Sequence, residues 1–199
     1  EYNDPDTSIS GSAEIKSETD TGYVTFNADE IAQDTQSYKA EGGQYGKFKL
    51  DAFYNEIQHN NTFDAHTIMS GGVGTNQLTS PLNSVVYGTP LSNPVTNGTP
   101  FDYAVSRDQY GAGLRLDLLK PFFANFSVSQ EDRQGIRAIG SAYALELPEP
   151  VDYKTNIMQA EVGYGKDPYF ASLGYTHSKF ENAYDTLYCD NIFATSTYG

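Results

Sequence analysis

The chain has no tryptophan and a single cysteine, Cys189, in 199 residues. One cysteine excludes an intrachain disulfide, a Cys-x-x-Cys zinc pair and the Cys-x-x-Cys-His element that attaches haem covalently. Cations are scarce too: 12 Lys and Arg stand against 26 Asp and Glu, a net charge of -14. Nucleic-acid binding needs clustered cations on phosphates, so that partner class is excluded. No run of about 18 apolar residues occurs, so no helix of this sequence is expected to span a bilayer. No charged and then apolar leader opens the numbering, and a signal peptide is expected to have been removed from it already.

Catalytic and metal signatures are equally thin. His59, His66 and His177 make neither an i, i+4 pair nor His-Glu-x-x-His. Asn3-Asp4-Pro5-Asp6 is oxygen-rich but lacks EF-hand spacing. No serine sits in Gly-x-Ser-x-Gly. Gly71, Gly72 and Gly74 lead into Leu78-Thr79-Ser80-Pro81 rather than into a phosphate-binding helix, because Pro81 disfavours helix at Ser80. The expectation is a protein that is not an enzyme and that carries no metal or cofactor of its own.

What is abundant is tyrosine (16), phenylalanine (11) and glycine (18), with a mean hydropathy of -0.52. That mixture suits many strands with one wet face each. Period two then appears along the chain. Leu114 and Leu116 oppose Arg115 and Asp117; Phe122, Ala124, Phe126 and Val128 oppose Asn125, Ser127 and Ser129; Met158, Ala160 and Val162 oppose Gln159 and Glu161. Strands are expected near 8–16, 22–29, 46–57, 109–118, 122–131, 156–164 and 169–178, with long loops at 58–108, 132–151 and 180–199. Tight turns at 119–121 and 165–168 alternate with those loops, the rhythm of an outer-membrane barrel. The stretch 30–44 breaks the rhythm, so either a strand hides in residues 31–40 or one short-side connection is long. Periodicity alone leaves a soluble β-sandwich open, in which Leu114, Leu116, Phe122, Phe126, Met158 and Leu173 would form a buried core.

Two blocks carry a resemblance. In the first, Tyr54, Glu56, Ile57, His59, Ala65, Thr67, Gly72, Val73, Gly74, Leu78, Thr79 and Pro81 follow one pattern, with Gln58 in place of a proline. In the second, Pro148, Pro150, Asp152, Tyr153, Thr155 and Asn156 are followed by Phe180, Asn182, Leu187, Asn191 and Phe193, with Ile192 where proline is commoner. Together they resemble the outer-membrane porins of porin-cytochrome electron conduits, the MtrB/PioB type. The family's Cys-x-x-Cys element near the mature N-terminus is absent. The resemblance implies a bacterial outer-membrane protein whose barrel sheathes a periplasmic multihaem c-type cytochrome, for electron transfer to an extracellular multihaem cytochrome or other acceptor. All haem would belong to the partner. An ordinary diffusion porin for small solutes is the alternative.

The fold expectation is therefore all-β: residues 1–199 as an antiparallel transmembrane β-barrel segment of seven or eight strands with long extracellular loops. The family's barrels have more than about twenty strands, so about seven would leave open edges that lipid cannot satisfy. A piece of a larger barrel, or one completed by another chain, is expected. Lys47, Lys49, Asp51, Arg115, Asp117, Gln159 and Glu161 are the expected lumen-facing residues. Residues 70–81 are expected to be a structured rim loop, with glycines at its turns.

Overall fold

The computed structural model describes residues 9–67, 69–71, 74–79, 99–117, 120–140 and 146–190. Its strands are β1 Gly11–Glu18, β2 Gly22–Ile31, β3 Ser37–Gln44, β4 Phe48–Thr67, β5 Ser70–Gly71, β6 Gln77–Thr79, β7 Thr99–Leu116, β8 Phe122–Gly140, β9 Glu146–Lys166, β10 Tyr169–Asn182 and β11 Tyr188–Cys189. Eight of them form one antiparallel meander in the order β1-β2-β3-β4-β7-β8-β9-β10, and the short β5, β6 and β11 form a second sheet. The large sheet is open among the described residues, with β1 and β10 as its edges.

Alternation sorts the meander into two faces, and the register shows how cleanly. One row runs Phe26, Ala40, Ala52, Ala112, Val128, Met158 across neighbouring strands, and the next runs Val24, Gly42, Leu50, Leu114, Phe126, Ala160. Nothing covers this apolar face: Leu50 is 50% exposed, Phe126 45% and Leu173 75%. Phe122 and Met158 are exposed as well, so the core that a soluble sandwich requires is absent from these residues.

Aromatic rings bound the apolar band. Phe122 meets Tyr164 edge-on at 5.4 Å near the short-turn side, while Tyr38, Tyr54 and Tyr110 align across β3, β4 and β7 at the other. From Phe122 to Gln130 is eight residues of β8, about 27 Å along a strand, or about 21 Å of height at a tilt near 40°. That matches the apolar height of an outer-membrane barrel, with the amphipathic tyrosines at the interface.

The break in rhythm at 30–44 resolves into a strand. β3 pairs with β2 and β4 along its full length, and it places the turns after Glu18, Gln44, Leu116 and Lys166 at one edge of the sheet. Its sequence, Ser-Tyr-Lys-Ala-Glu-Gly-Gly-Gln, offers alanine and glycine where a lipid-facing row usually carries larger residues, which weakens the period-two signal.

The expected loops need correction. Much of 58–108 and 132–151 is strand: β4 runs to Thr67, β7 starts at Thr99, β8 ends at Gly140 and β9 starts at Glu146. The segment 180–199 begins with the last three residues of β10 and contains β11. These extensions lie beyond the tyrosine row, where the alternation of apolar and polar residues gives way. The first strand is Gly11–Glu18 rather than 8–16, and Leu118 of the fourth expected strand lies outside the described residues.

A conventional core occurs only in this upper part of the described structure. Met69 and Leu78 are 1% exposed and pack with Leu147, Ile139 and Leu187. Ile136, Pro148 and Val151 are buried nearby. The β7/β8 ladder stops at Val105–Gly135, while β7 continues on β4 and β8 on β9, so the wall divides into two hairpins above that point.

Candidate functional site

The face opposite the apolar band is lined with charges that neutralise one another. Near the short turns, Arg115 donates to both Asp117 carboxylate oxygens at 3.0 and 3.1 Å. One strand pair away, Lys39 and Lys49 converge on Glu41 Oε1 at 2.9 and 3.4 Å. Asn125 donates to Glu161 at 2.7 Å, and Ser127 lies 3.3 Å from Gln159. Higher up, Arg107 Nε and Arg133 Nε reach the two oxygens of Glu131 at 2.7 and 2.6 Å. Higher still, Arg137 pairs with Glu149, whose carboxylate holds the guanidinium above its ordinary pKa.

This register explains the partnerships. Lys49, Arg115, Asn125 and Glu161 form one cross-strand row, and Asp51, Gly113, Ser127 and Gln159 the next. Asn125–Glu161, Ser127–Gln159 and Arg137–Glu149 are directly opposed across a ladder, and Arg107–Glu131 and Lys49–Glu41 are diagonal neighbours. Arg115–Asp117, Lys39–Glu41 and Arg133–Glu131 lie two residues apart on one face of a single strand.

Large rings on this face are recessed. A Cβ on Gly111 would lie 2.8 Å from Phe53 Cε1, and one on Gly163 would lie 2.2 Å from Phe123 Cζ. Each ring therefore lies against bare backbone of the neighbouring strand, which accounts for phenylalanines on an otherwise polar face. Arg115 sits 5.0 Å above the Phe123 ring, and Phe170 stacks beside it at 5.9 Å. The result is a low-relief wall with hydrogen-bonding groups at its surface.

Among the expected polar-face residues, Lys49, Asp51, Arg115, Gln159 and Glu161 share this face on three strands, and Asp117 follows at its lower rim. Lys47 is in the β3–β4 turn instead. Glu41, Asn125, Glu131, Arg107 and Arg133 belong to the same network and were missed. Glu41 sat in the unrecognised β3, Asn125 and Arg107 find their partners through cross-strand register that one sequence does not reveal, and Arg133, two residues from Glu131 on β8, fell in the expected loop 132–151.

The motif residues divide into two places. Glu56, Ile57 and His59 lie on β4; Glu56 accepts hydrogen bonds from Gln36 at 2.9 Å and the Tyr54 hydroxyl at 3.3 Å. Ala65 and Thr67 end the same strand, with the Thr67 hydroxyl accepting from Met69 N–H. Leu78 and Thr79 pair with Gly71 and Ser70, and Leu78 also pairs with Cys189. Gly71 has φ of 104° and a Cβ there would meet Gln77 O at 2.1 Å, so this hairpin needs glycine; Gly74 turns it with φ of 64°. Gly72, Val73 and Pro81 lie outside the described residues.

Pro148 and Pro150 are buried at the start of β9, and Tyr153 meets Phe180 at 5.4 Å between Asp152 and Thr155. Asn182 bonds Tyr184 through both its amide oxygen and its amide nitrogen, turning the chain back after β10. Parts of the two blocks, far apart in sequence, thus meet in the small sheet and its core. Among the described residues no cluster of three or more His, Cys, Asp or Glu could hold a metal ion. Cys189 is a free, exposed thiol, raised above its ordinary pKa by burial and then by Asp190.

An uncovered apolar band of bilayer height, aromatic borders and an opposite face of paired charges define a wall of an outer-membrane β-barrel. The sequence comparisons specify which. Residues 5–199 match the family described as outer membrane beta-barrel porin, MtrB/PioB, and the chain belongs to that family. It is 26% identical over 193 residues to outer membrane protein MtrB of Shewanella baltica (strain OS185), covering 94% of this chain. The chain spans 28% of the length of that curated relative. The bacterial outer membrane is its location.

Proposed function

We propose that the complete barrel sheathes a periplasmic multihaem c-type cytochrome and holds it across the outer membrane. Electrons pass through the partner's haems alone, since this chain supplies no haem attachment of its own. The apolar band faces lipid and the paired-charge face lines the lumen, with Lys49, Asp51, Arg115, Gln159 and Glu161 toward the occupant. Family membership supports the barrel, and the porin-cytochrome resemblance of the two motif blocks supports the occupant.

The observation that carries the occupant is the polar face itself. Its cations Lys49, Arg115, Arg107 and Arg133 are paired within the wall, and Glu161 is held by the Asn125 amide. Phe53 and Phe123 are sunk over glycines, giving a low-relief surface with amide, hydroxyl and carboxylate groups to offer. Such a surface suits protein contact, where an unpaired charge loses water without compensation.

Purification of the native complex in mild detergent tests this directly, with haem absorbance recorded beside the intact mass of each subunit. A Soret band that travels with the full-length porin on gel filtration is the expected result. A haem-free particle that conducts ions as an open pore refutes the sheath and leaves a diffusion porin.

A further inference from the structure

The small sheet leans to one particular side of the wall. β8 and β9 pair without a register shift from Phe122–Tyr164 to Gly140–Glu146, so alternation carries a single face from end to end. On β9 that face runs from Glu161 and Gln159 through Tyr153 and Val151 to Leu147, and on β8 it ends at Ile139. Leu147 and Ile139 are the residues on which Met69, Leu78 and Leu187 pack. The three-stranded sheet therefore packs on the upper end of the same face that carries the paired charges.

Two segments far apart in sequence are fastened together in it. β5 and β6 follow from the end of β4, Asn76 donates to Thr186 O at 2.8 Å, and Tyr188 and Asp190 donate backbone hydrogen bonds to Asn76 O and Leu78 O. A core of its own makes it a fixed part of the wall rather than a swinging loop. Within β6, Leu78 points into that core and its neighbours Gln77 and Thr79 are exposed on the other side.

We propose that this sheet is an eave turned in over the extracellular mouth, and that Gln77 and Thr79 touch the protein filling the lumen. The inference rests on the sheath reading above, since it needs a protein in the lumen. Uncharged donors and acceptors at these positions suit the outer end of that protein, where they would fix its height without selecting a charge.

The test places a photo-crosslinking amino acid at Gln77 of the full-length porin in cells, with Thr79 as a second position should Gln77 variants fail to assemble. Val162, on the exposed apolar face, serves as the lipid-side control. The expected product at Gln77 or Thr79 is a haem-staining adduct of porin plus partner, absent at Val162. Adducts with lipopolysaccharide, adducts within the porin alone, or no adduct at either position overturn the eave contact. Haem co-purification, read on the same preparations, separates the two ideas. A haem protein that co-purifies without crosslinking sinks the eave alone, whereas its absence sinks the sheath.

Discussion

Glu131 is the residue on which the upper polar face turns. Its carboxylate takes Arg107 on one oxygen and Arg133 on the other, and its side chain is only 14% exposed. Removing the charge leaves two guanidinium groups close together with no counterion, in a setting drier than most surface pairs. Glu131→Gln, nearly isosteric, should lower the stability of the full-length barrel by about 1–2 kcal/mol in detergent, discounted for the partial exposure of both arginines. Asp117→Asn removes a pair whose arginine is 47% exposed and should cost under about 0.5 kcal/mol. Urea midpoints of the two variants provide the comparison, and equal shifts would show that Glu131 gains nothing from its partial enclosure.

At the scale of elements, β3 separates what sequence reveals from what it hides. The lipid-facing runs of β7, β8 and β9 announce themselves because Leu, Phe, Val and Met alternate with Arg, Asn, Ser and Glu. In β3 the same positions hold Tyr38, Ala40 and Gly42, and its other face ends in Gly43, so little contrast remains for a periodicity to detect. The upper extensions escape for a different reason: beyond the tyrosine row, burial depends on contacts between distant segments, such as Leu78 on Leu147. Motif residues in the first block pointed to this region, but not to the second block as their partner. Arg115 and Asp117, two residues apart on one strand, were both legible, whereas a pair across strands such as Arg107–Glu131 was not.

Gly43 also shows how closely β3 is held. A Cβ there would lie 2.4 Å from Phe48 O and 3.1 Å from Lys49 Cα, both backbone atoms that cannot rotate away. Gly43→Val should therefore push β3 from β4 at their common turn and cost about 1–3 kcal/mol. The same change at Gly140, where a Cβ meets nothing within 4 Å, should be tolerated. Folding yield of full-length porin in detergent, read from heat-dependent gel mobility, distinguishes them; equal yields would mean that β3 and β4 do not approach as described.

The molecule as a whole is too open to be a finished structure. Two features of the described residues show it: an apolar band with nothing packed on it, and two strand edges with unsatisfied backbone groups. Every residue of β10 is exposed, and so is every residue of β1. Lipid can cover the first but not the second, because hydrocarbon offers no hydrogen bonds. The remaining strands of the barrel must therefore supply both edges. Expressed alone in aqueous buffer, the 199-residue chain should aggregate through its edges and apolar face, and detergent should shield the face while leaving the edges adhesive. Sedimentation with and without detergent reads this: oligomers in detergent and pellets without it are the expected pair. A detergent-free soluble monomer would mean that Leu50, Phe126 and Leu173 bury against the chain itself, and the barrel-wall assignment of the apolar face would fall.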